Sequence, residues 1–295
     1  MKILITGSSG FIGSALVESL KNSRHDVDCL DIKMQVHHKY PTIIHDLRTL
    51  LVESTTYDLI IHLAAHSHVR DSIQTPYLGI ENITMTHSIL DFARQNKIQK
   101  VLFASSREVY GDSSLAREGA ESISDIQNPY AASKIAGEAL CYSYSASYGV
   151  KCKVIRMSNV YGRYDLSDRF VPLAISALRR NRTFNIYGQD KTMDLIYIDD
   201  VVSGIETLVN KWEDGQVLEN TYNIASGQKT NLVDIVSEMK SILQSDSTIE
   251  VLEKKIGEVS NFSADISQLK KLDWLPHTTL TEGLTKTIQW HTTQN

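Results

Sequence analysis

Residues 128–139 read NPYAASKIAGEA, which sets Tyr130 and Lys134 four positions apart. On a helix both project from one face, one turn apart. A phenol titrates near ~10 and is a poor base at neutral pH without help. A neighbouring ammonium, together with a positively charged hydride acceptor, favours its anion. Such a pair can take the proton of an alcohol while hydride leaves the same carbon. The spacing alone is common by chance, so the hydride acceptor has to be found elsewhere. Residues 2–13 read KILITGSSGFIG, with Gly7, Gly10 and Gly13 between a strand-like run and a helix-like one. Gly7 permits a tight turn, Gly10 lets backbone approach a pyrophosphate, and Gly13 allows close helix–strand packing. The helix beginning near Phe11 offers unpaired N–H groups and a partial positive charge to phosphates. Ser9, Phe11 and Ile12 belong to the same turn. Asp31 ends the second apolar run. A carboxylate there accepts hydrogen bonds from both ribose hydroxyls and repels a 2′-phosphate, so the expected cofactor is NAD.

The elements that must position these residues alternate. Short apolar runs at 2–6, 27–31, 42–45, 59–62 and 101–105 suit parallel strands covered on both faces. Helical character falls at 11–22, 47–54 and 78–96, with a long helix at 130–148 and a further strand at 153–157. The expected fold is α/β: a Rossmann doubly wound parallel sheet with a smaller mixed α/β C-terminal substrate domain. The first domain is read as residues 1–160, with later segments near 195–210 returning to it, and the second as 161–295. Tyr130 then stands at the start of a helix that follows the fifth strand, which gives the pair its weight.

Composition narrows the function classes. The net charge is −5 and the basic residues are scattered, which argues against nucleic acid as a partner. No apolar run reaches the ~18–20 residues of a membrane span, and no signal-peptide pattern opens the chain. Three cysteines without ligand spacing read as small buried hydrophobes in a reducing cytoplasm. His62, His66 and His68 lack a companion that would complete a metal site, so none is expected. Trp274 and Trp290 read as core anchors, and Arg179 and Arg180 as a solvated helix end.

Taken together, the chain resembles the extended short-chain dehydrogenases/reductases, specifically the nucleotide-sugar epimerases and dehydratases. The stretches GSSGFIG, IIHLAAHSHV, FASSREVYG, NPYAASK, SNVYG and DLIYIDDVV carry the resemblance in order, followed by YNIASG and ADISQLKKLDWLPHTTLTEGL. The resemblance implies a tightly bound, recycled NAD, a nucleotide-diphosphate sugar as substrate with UDP the expected nucleotide, and a homodimer. The dimer would pack the helices at 78–96 and 130–148 into a four-helix bundle. Asp46, with Leu47 beside it, matches the acid that meets the adenine amino group. Leu63, Ala64 and Ala65 match the strand end lining the cofactor, and Asn82 a helix residue near it. Ser106 matches the hydroxyl that bonds the reacting alcohol, with Ser105 its neighbour one position away. Asn159 matches a residue contacting the sugar diphosphate.

Oxidation at the sugar C4 is the shared first step. If the ketone turns over and takes hydride back on its other face, the outcome is 4-epimerisation. If a base removes the acidified C5 proton, water is lost across C5 and C6. Glu108 stands where resembling dehydratases and decarboxylases carry a glutamate, and a carboxylate in a partly dry site can be that base. Two departures accompany it. Arg107 replaces the aspartic acid that protonates the leaving hydroxyl in hexose 4,6-dehydratases, and is read as substrate-binding. Met193 replaces a phosphate-binding arginine. Lys255 aligns with another phosphate-binding arginine and would act as a point charge, with Arg163, Arg169 and Lys191 as further compensating cations. Dehydratase is the preferred expectation and 4-epimerase the alternative. A catalytically silent dinucleotide-binding protein is the remote one, because the Tyr130–Lys134 pair is intact.

Overall fold

A computed structural model describes residues 1–294 apart from 35, 36, 38, 52–54, 121–122 and 254–260. Its first strand, β1 (Lys2–Thr6), sends Ile3 and Ile5 to one side and Leu4 to the other. That is the two-residue period of the pleat with both faces buried. There follow α1 (Phe11–Lys21), β2 (Asp26–Asp31), β3 (Thr42–Ile44), β4 (Leu59–His62), α2 (Val69–Gln74), α3 (Tyr77–Gln95), β5 (Lys100–Ser106), α4 (Pro129–Tyr148) and β6 (Lys151–Met157). After α5 (Phe170–Leu178) and α6 (Ile198–Glu213), the chain returns to the sheet as β7 (Thr221–Ile224). The seven strands are all parallel, in the order β7-β6-β5-β4-β1-β2-β3. The fold is a Rossmann-type α/β sheet.

Each face of that sheet has its own core. Leu4, Ile60, Phe103 and Val154 pack with Ile89, Phe92 and Cys141 from α3 and α4. Ile3, Ile61, Leu102 and Ile155 pack with Leu16 and Leu20 of α1. This second core runs on without a break into the C-terminal part, through Ile175, Ile205, Ile224, Met239 and Trp274. α7 (Leu232–Leu243), α8 (Ser267–Lys270) and α9 (Leu280–Thr293) complete that part, with short strand pairs such as Phe184–Tyr187 beside Ile249–Leu252. One apolar mass therefore fixes the C-terminal helices relative to the sheet.

Residues 47–51 differ from the helix read at 47–54 in the sequence. Residues 47–49 form a turn and 50–51 run on without regular structure, because the Asp46 carboxylate accepts the Arg48 N–H at 2.9 Å and the Asp46 carbonyl accepts the Thr49 N–H at 3.0 Å. An aspartate in that place offers the backbone an alternative to helical bonding. Residues 52–54 lie outside the described residues. Among the described residues, no helix is long and apolar enough to cross a membrane.

Candidate active site

The carboxyl ends of β1, β2, β4, β5 and β6 open into a cavity of about 760 Å³, the place where open α/β sheets bind ligands. At one end lie Gly7, Gly10, Phe11, Ile12 and Gly13. Gly7 has φ +71°, and a Cβ on it would fall 2.7 Å from the Ala64 nitrogen. A Cβ on Gly13 would fall 2.1 Å from the Gly7 carbonyl oxygen. The turn therefore closes only on bare backbone, and it delivers the first turn of α1, whose N–H groups have no preceding turn to bond, to the cavity.

Ser9 does not line the cavity. Its N–H donates to Asp31 Oδ2 at 2.9 Å and its hydroxyl to the Lys33 carbonyl at 3.0 Å. Asp31 reaches the cavity wall, ties β2 to the glycine turn, and also accepts the Lys33 N–H at 3.3 Å. Asp46 and Leu47 sit at the same end. The Asp46 carboxylate is engaged by Arg48, whose Nη2 lies 2.6 Å from Oδ2, and that guanidinium pulls its pKa down to about 2. Leu63, Ala64 and Ala65 form the adjoining wall. Asn82 stands behind it, accepting the His66 N–H at 2.8 Å and donating to the His66 carbonyl and the Ser133 hydroxyl, each at 3.1 Å. It thus shapes the wall without forming it. The backbone cradle and the Asp31 carboxylate together fit a dinucleotide with free ribose hydroxyls.

The other end is built from side chains. Asn128 caps α4, with Pro129 as the first helical residue, and this places Tyr130 at the cavity. The Ser106 hydroxyl lies close enough to the Tyr130 phenol to act on its ionisation. Burial is the largest influence on that phenol and raises its pKa; Ser106, Arg169 and Arg107 oppose the rise, and Glu108 adds to it. The Lys134 ammonium donates to the Ala104 carbonyl at 2.8 Å and lies 5.7 Å from the Tyr130 ring centre. In the chain by itself desolvation raises the phenol, and the sequence reading asks Lys134 and the positive ring of oxidised NAD together to offset that rise. Lys134 is itself buried, which brings its pKa down to about 8.

Alternation along β5 separates the two serines. Ser106 faces Tyr130, whereas the Ser105 hydroxyl donates to the buried Glu138, which is ion-paired with the equally buried Arg156. Glu108 is only 8% exposed and lines the cavity rather than the surface. Its Oε1 lies 2.7 Å from the Arg107 guanidinium, which also rests over the Phe262 ring, and its Oε2 accepts from the Asn128 amide at 3.1 Å. Arg107 is therefore committed to an acid and an aromatic face. Asn159 and Met193 line the far wall, where the Asn159 amide donates to the Asp194 carbonyl at 3.2 Å. Lys255 lies outside the described residues.

Two contacts bridge the cavity mouth. Arg169 donates to the Ser67 hydroxyl at 2.8 Å, and His68 lies 3.0 Å from Asp168. His62 is a core residue, its Nδ1 2.7 Å from the Thr6 hydroxyl; burial lowers its pKa to about 3. Among the described residues, no group of three or more His, Cys, Asp or Glu could hold a metal. Sequence reasoning missed Asn128 and Glu138. The Asn-Pro pair is a helix-start signal, and Glu138 stands one turn beyond Lys134, but neither spacing reveals the partner.

Residues 3–225 match the family model described as the NAD dependent epimerase/dehydratase family. The chain is 32% identical to the uncharacterized UDP-glucose epimerase YtcB of Bacillus subtilis (strain 168), with 98% of each covered. It is 27% identical to the dTDP-D-glucose 4,6-dehydratase of Homo sapiens over 98% of this chain and 89% of that one. Among solved structures, MoeE5 in complex with UDP-glucuronic acid and NAD superposes with a TM-score of 0.89 at 27% identity, covering 100% of both chains. A glycine cradle, an acid at the end of β2 and a buried Tyr-Lys pair at the ends of a parallel sheet agree with these likenesses: the chain belongs to the NAD-dependent epimerase/dehydratase family and is an enzyme that uses NAD.

Proposed function

We propose that this enzyme oxidises a nucleotide-diphosphate sugar, a UDP-sugar first among them, transiently at C4 and then removes water across C5 and C6. The place of Glu108 carries this reading: a carboxylate set in the cavity wall, on the turn that begins at Ser106. In this reading residues 161–295 supply most of the sugar-side wall, including Met193 and Arg169.

Tyr130 takes the C4 hydroxyl proton while Ser106 orients that hydroxyl. Bound NAD supplies the acceptor for the C4 hydride and, when oxidised, a positive ring. Burial keeps the phenol protonated, so its ionisation depends on positive charge entering the cavity beside that of Lys134. Once C4 is a ketone, the C5 proton is acidic and passes to Glu108. The C5–H electron pair becomes the C5–C6 double bond as the C6 hydroxyl departs. Arg107 is paired with Glu108, so the proton that completes the water comes back from Glu108, which returns to its carboxylate form. Return of the C4 hydride to C6, with a solvent-derived proton added at C5, would then leave a 4-keto sugar lighter by one water and the NAD oxidised as at the start.

Mass spectrometry in heavy water tests this with a panel of UDP-, dTDP-, GDP- and CDP-sugars. The expected result is a product lighter by one water, with deuterium entering C5. An unchanged mass without deuterium at C5 removes the reading. That outcome with a new chromatographic peak supports the second reading, a 4-epimerase that needs only Tyr130, Lys134 and Ser106. The engagement of both Glu108 oxygens by Arg107 and Asn128 favours it, since a carboxylate so held also serves as a fixed part of the cavity wall.

A homodimer through α3 and α4, working in the cytoplasm, belongs to the same proposal. An open apolar groove between the starts of these helices, lined by Tyr77, Ile80, Ile83 and Ile126, supports it. A monomeric mass by light scattering would remove it.

A further inference from the structure

We propose that Asn128 is a positioning residue for Glu108, locking that carboxylate to the start of the helix that carries Tyr130. The inference rests on the dehydratase reading of Glu108. One amide makes both bonds. Asn128 Oδ1 accepts the Ala131 N–H at 2.9 Å, the capping bond of α4. Only Nδ2 is then left to face Glu108, and it donates to Oε2 at 3.1 Å. The cap dictates the orientation: flipped, the amide would set an NH₂ against the Ala131 N–H and an oxygen against a carboxylate.

The backbone stiffens the arrangement. Asn128 is extended, with φ −152° and ψ 160°, and Pro129 follows it at the first helical position. Glu108 is held at its other oxygen by Arg107, and its N–H donates to the Ser106 hydroxyl at 3.2 Å. Ser106 in turn meets Tyr130. The carboxylate and the two hydroxyls thus form one chain of contacts, anchored in α4 at both ends. Each oxygen of Glu108 keeps a lone pair for a substrate proton. Glu108 would otherwise choose among several rotamers, and a misplacement of about 1 Å is enough to cost about 100-fold in rate.

Serine separates the two tasks of Asn128, because its hydroxyl can cap α4 and is too short to reach Glu108. In Asn128→Ser, water loss should slow by about 10- to 100-fold, the worth of one hydrogen bond to a charged group. KM should stay within about twofold. The first half-reaction, read as the ultraviolet absorbance of reduced nicotinamide in a single turnover, should also stay within about twofold, since the cap that places Tyr130 survives. Asn128→Asp keeps the cap and sets a second carboxylate against Glu108. It should move the acid side of the water-loss pH profile upward, which a change in packing alone would not do. Wild-type water loss with no selective defect in either variant overturns the inference and leaves the dehydratase reading standing. A wild type that never loses water overturns both.

Discussion

The two ends of the cavity are made of different material. The glycine end is backbone: the Gly7 turn, the first turn of α1 and the segment Leu63, Ala64 and Ala65. Its side chains act mainly on that backbone, as Asp31 does on the Ser9 N–H and Asn82 on His66. The tyrosine end is side chains held by side chains: Tyr130 by Ser106, Glu108 by Arg107 and Asn128, Glu138 by Arg156. A backbone cradle cannot accept a Cβ but does not titrate. A cluster of side chains accepts small changes of shape but not the loss of a partner, and it responds to pH. Binding and chemistry should therefore fail separately.

Exchanging damage between the two ends tests that separation. Tyr130→Phe removes the proton acceptor and should lower turnover by about 100- to 10,000-fold. NAD retained through purification, read by absorbance after denaturation, should be unchanged. Loss of NAD in this variant would break the comparison, and full turnover would remove the assignment of Tyr130. Gly7→Ala should do the reverse. Its left-handed φ and the Ala64 nitrogen 2.7 Å from the new Cβ should cost about 2–3 kcal/mol, read by urea unfolding. Retained NAD should fall about 10- to 100-fold. A variant that keeps both its stability and its NAD would show that the turn is more pliant than its contacts imply.

This division also explains what could be read in the sequence. Gly7, Gly10 and Gly13 were legible because sterics leave few other reasons for that spacing, and β1 and β4 because buried parallel strands read as apolar runs. Residues 47–51 were misread as part of a helix, since the apolar pattern did not register how strongly Asp46 would draw backbone donors into a turn. α2 has only one buried residue, Ser72, and so offers no apolar period to detect. Tyr130, Lys134, Ser106 and Glu108 were legible as types at spacings. What Glu108 touches was not, because its partner Asn128 is 20 residues away and serves equally as a helix cap. The protonation of Tyr130 was the least legible, being set by how dry the finished cavity is.

Dryness gives the tyrosine end a pH response that the glycine end should lack. Burial lowers Lys134 to about 8 in the folded chain, against about 10.4 when exposed. Below pH 8 the ammonium is present and supports the phenol; above it that charge is lost. Raising the pH also ionises phenols, so the wild-type rate alone mixes two titrations. Lys134→Met removes one of them and leaves no buried charge to accommodate. The advantage of wild type over this variant in the C4 half-reaction should be about tenfold at pH 7 and should shrink as pH rises through 8. Stability should run the other way. Between about pH 8 and 10.4 the unfolded chain holds a proton that the folded one has shed, so this group makes the fold more stable as pH rises across that window. Opposite slopes of rate advantage and unfolding free energy, with retained NAD flat throughout, would tie the rate to the charge on one lysine. Slopes of the same sign would assign the loss of rate to unfolding instead.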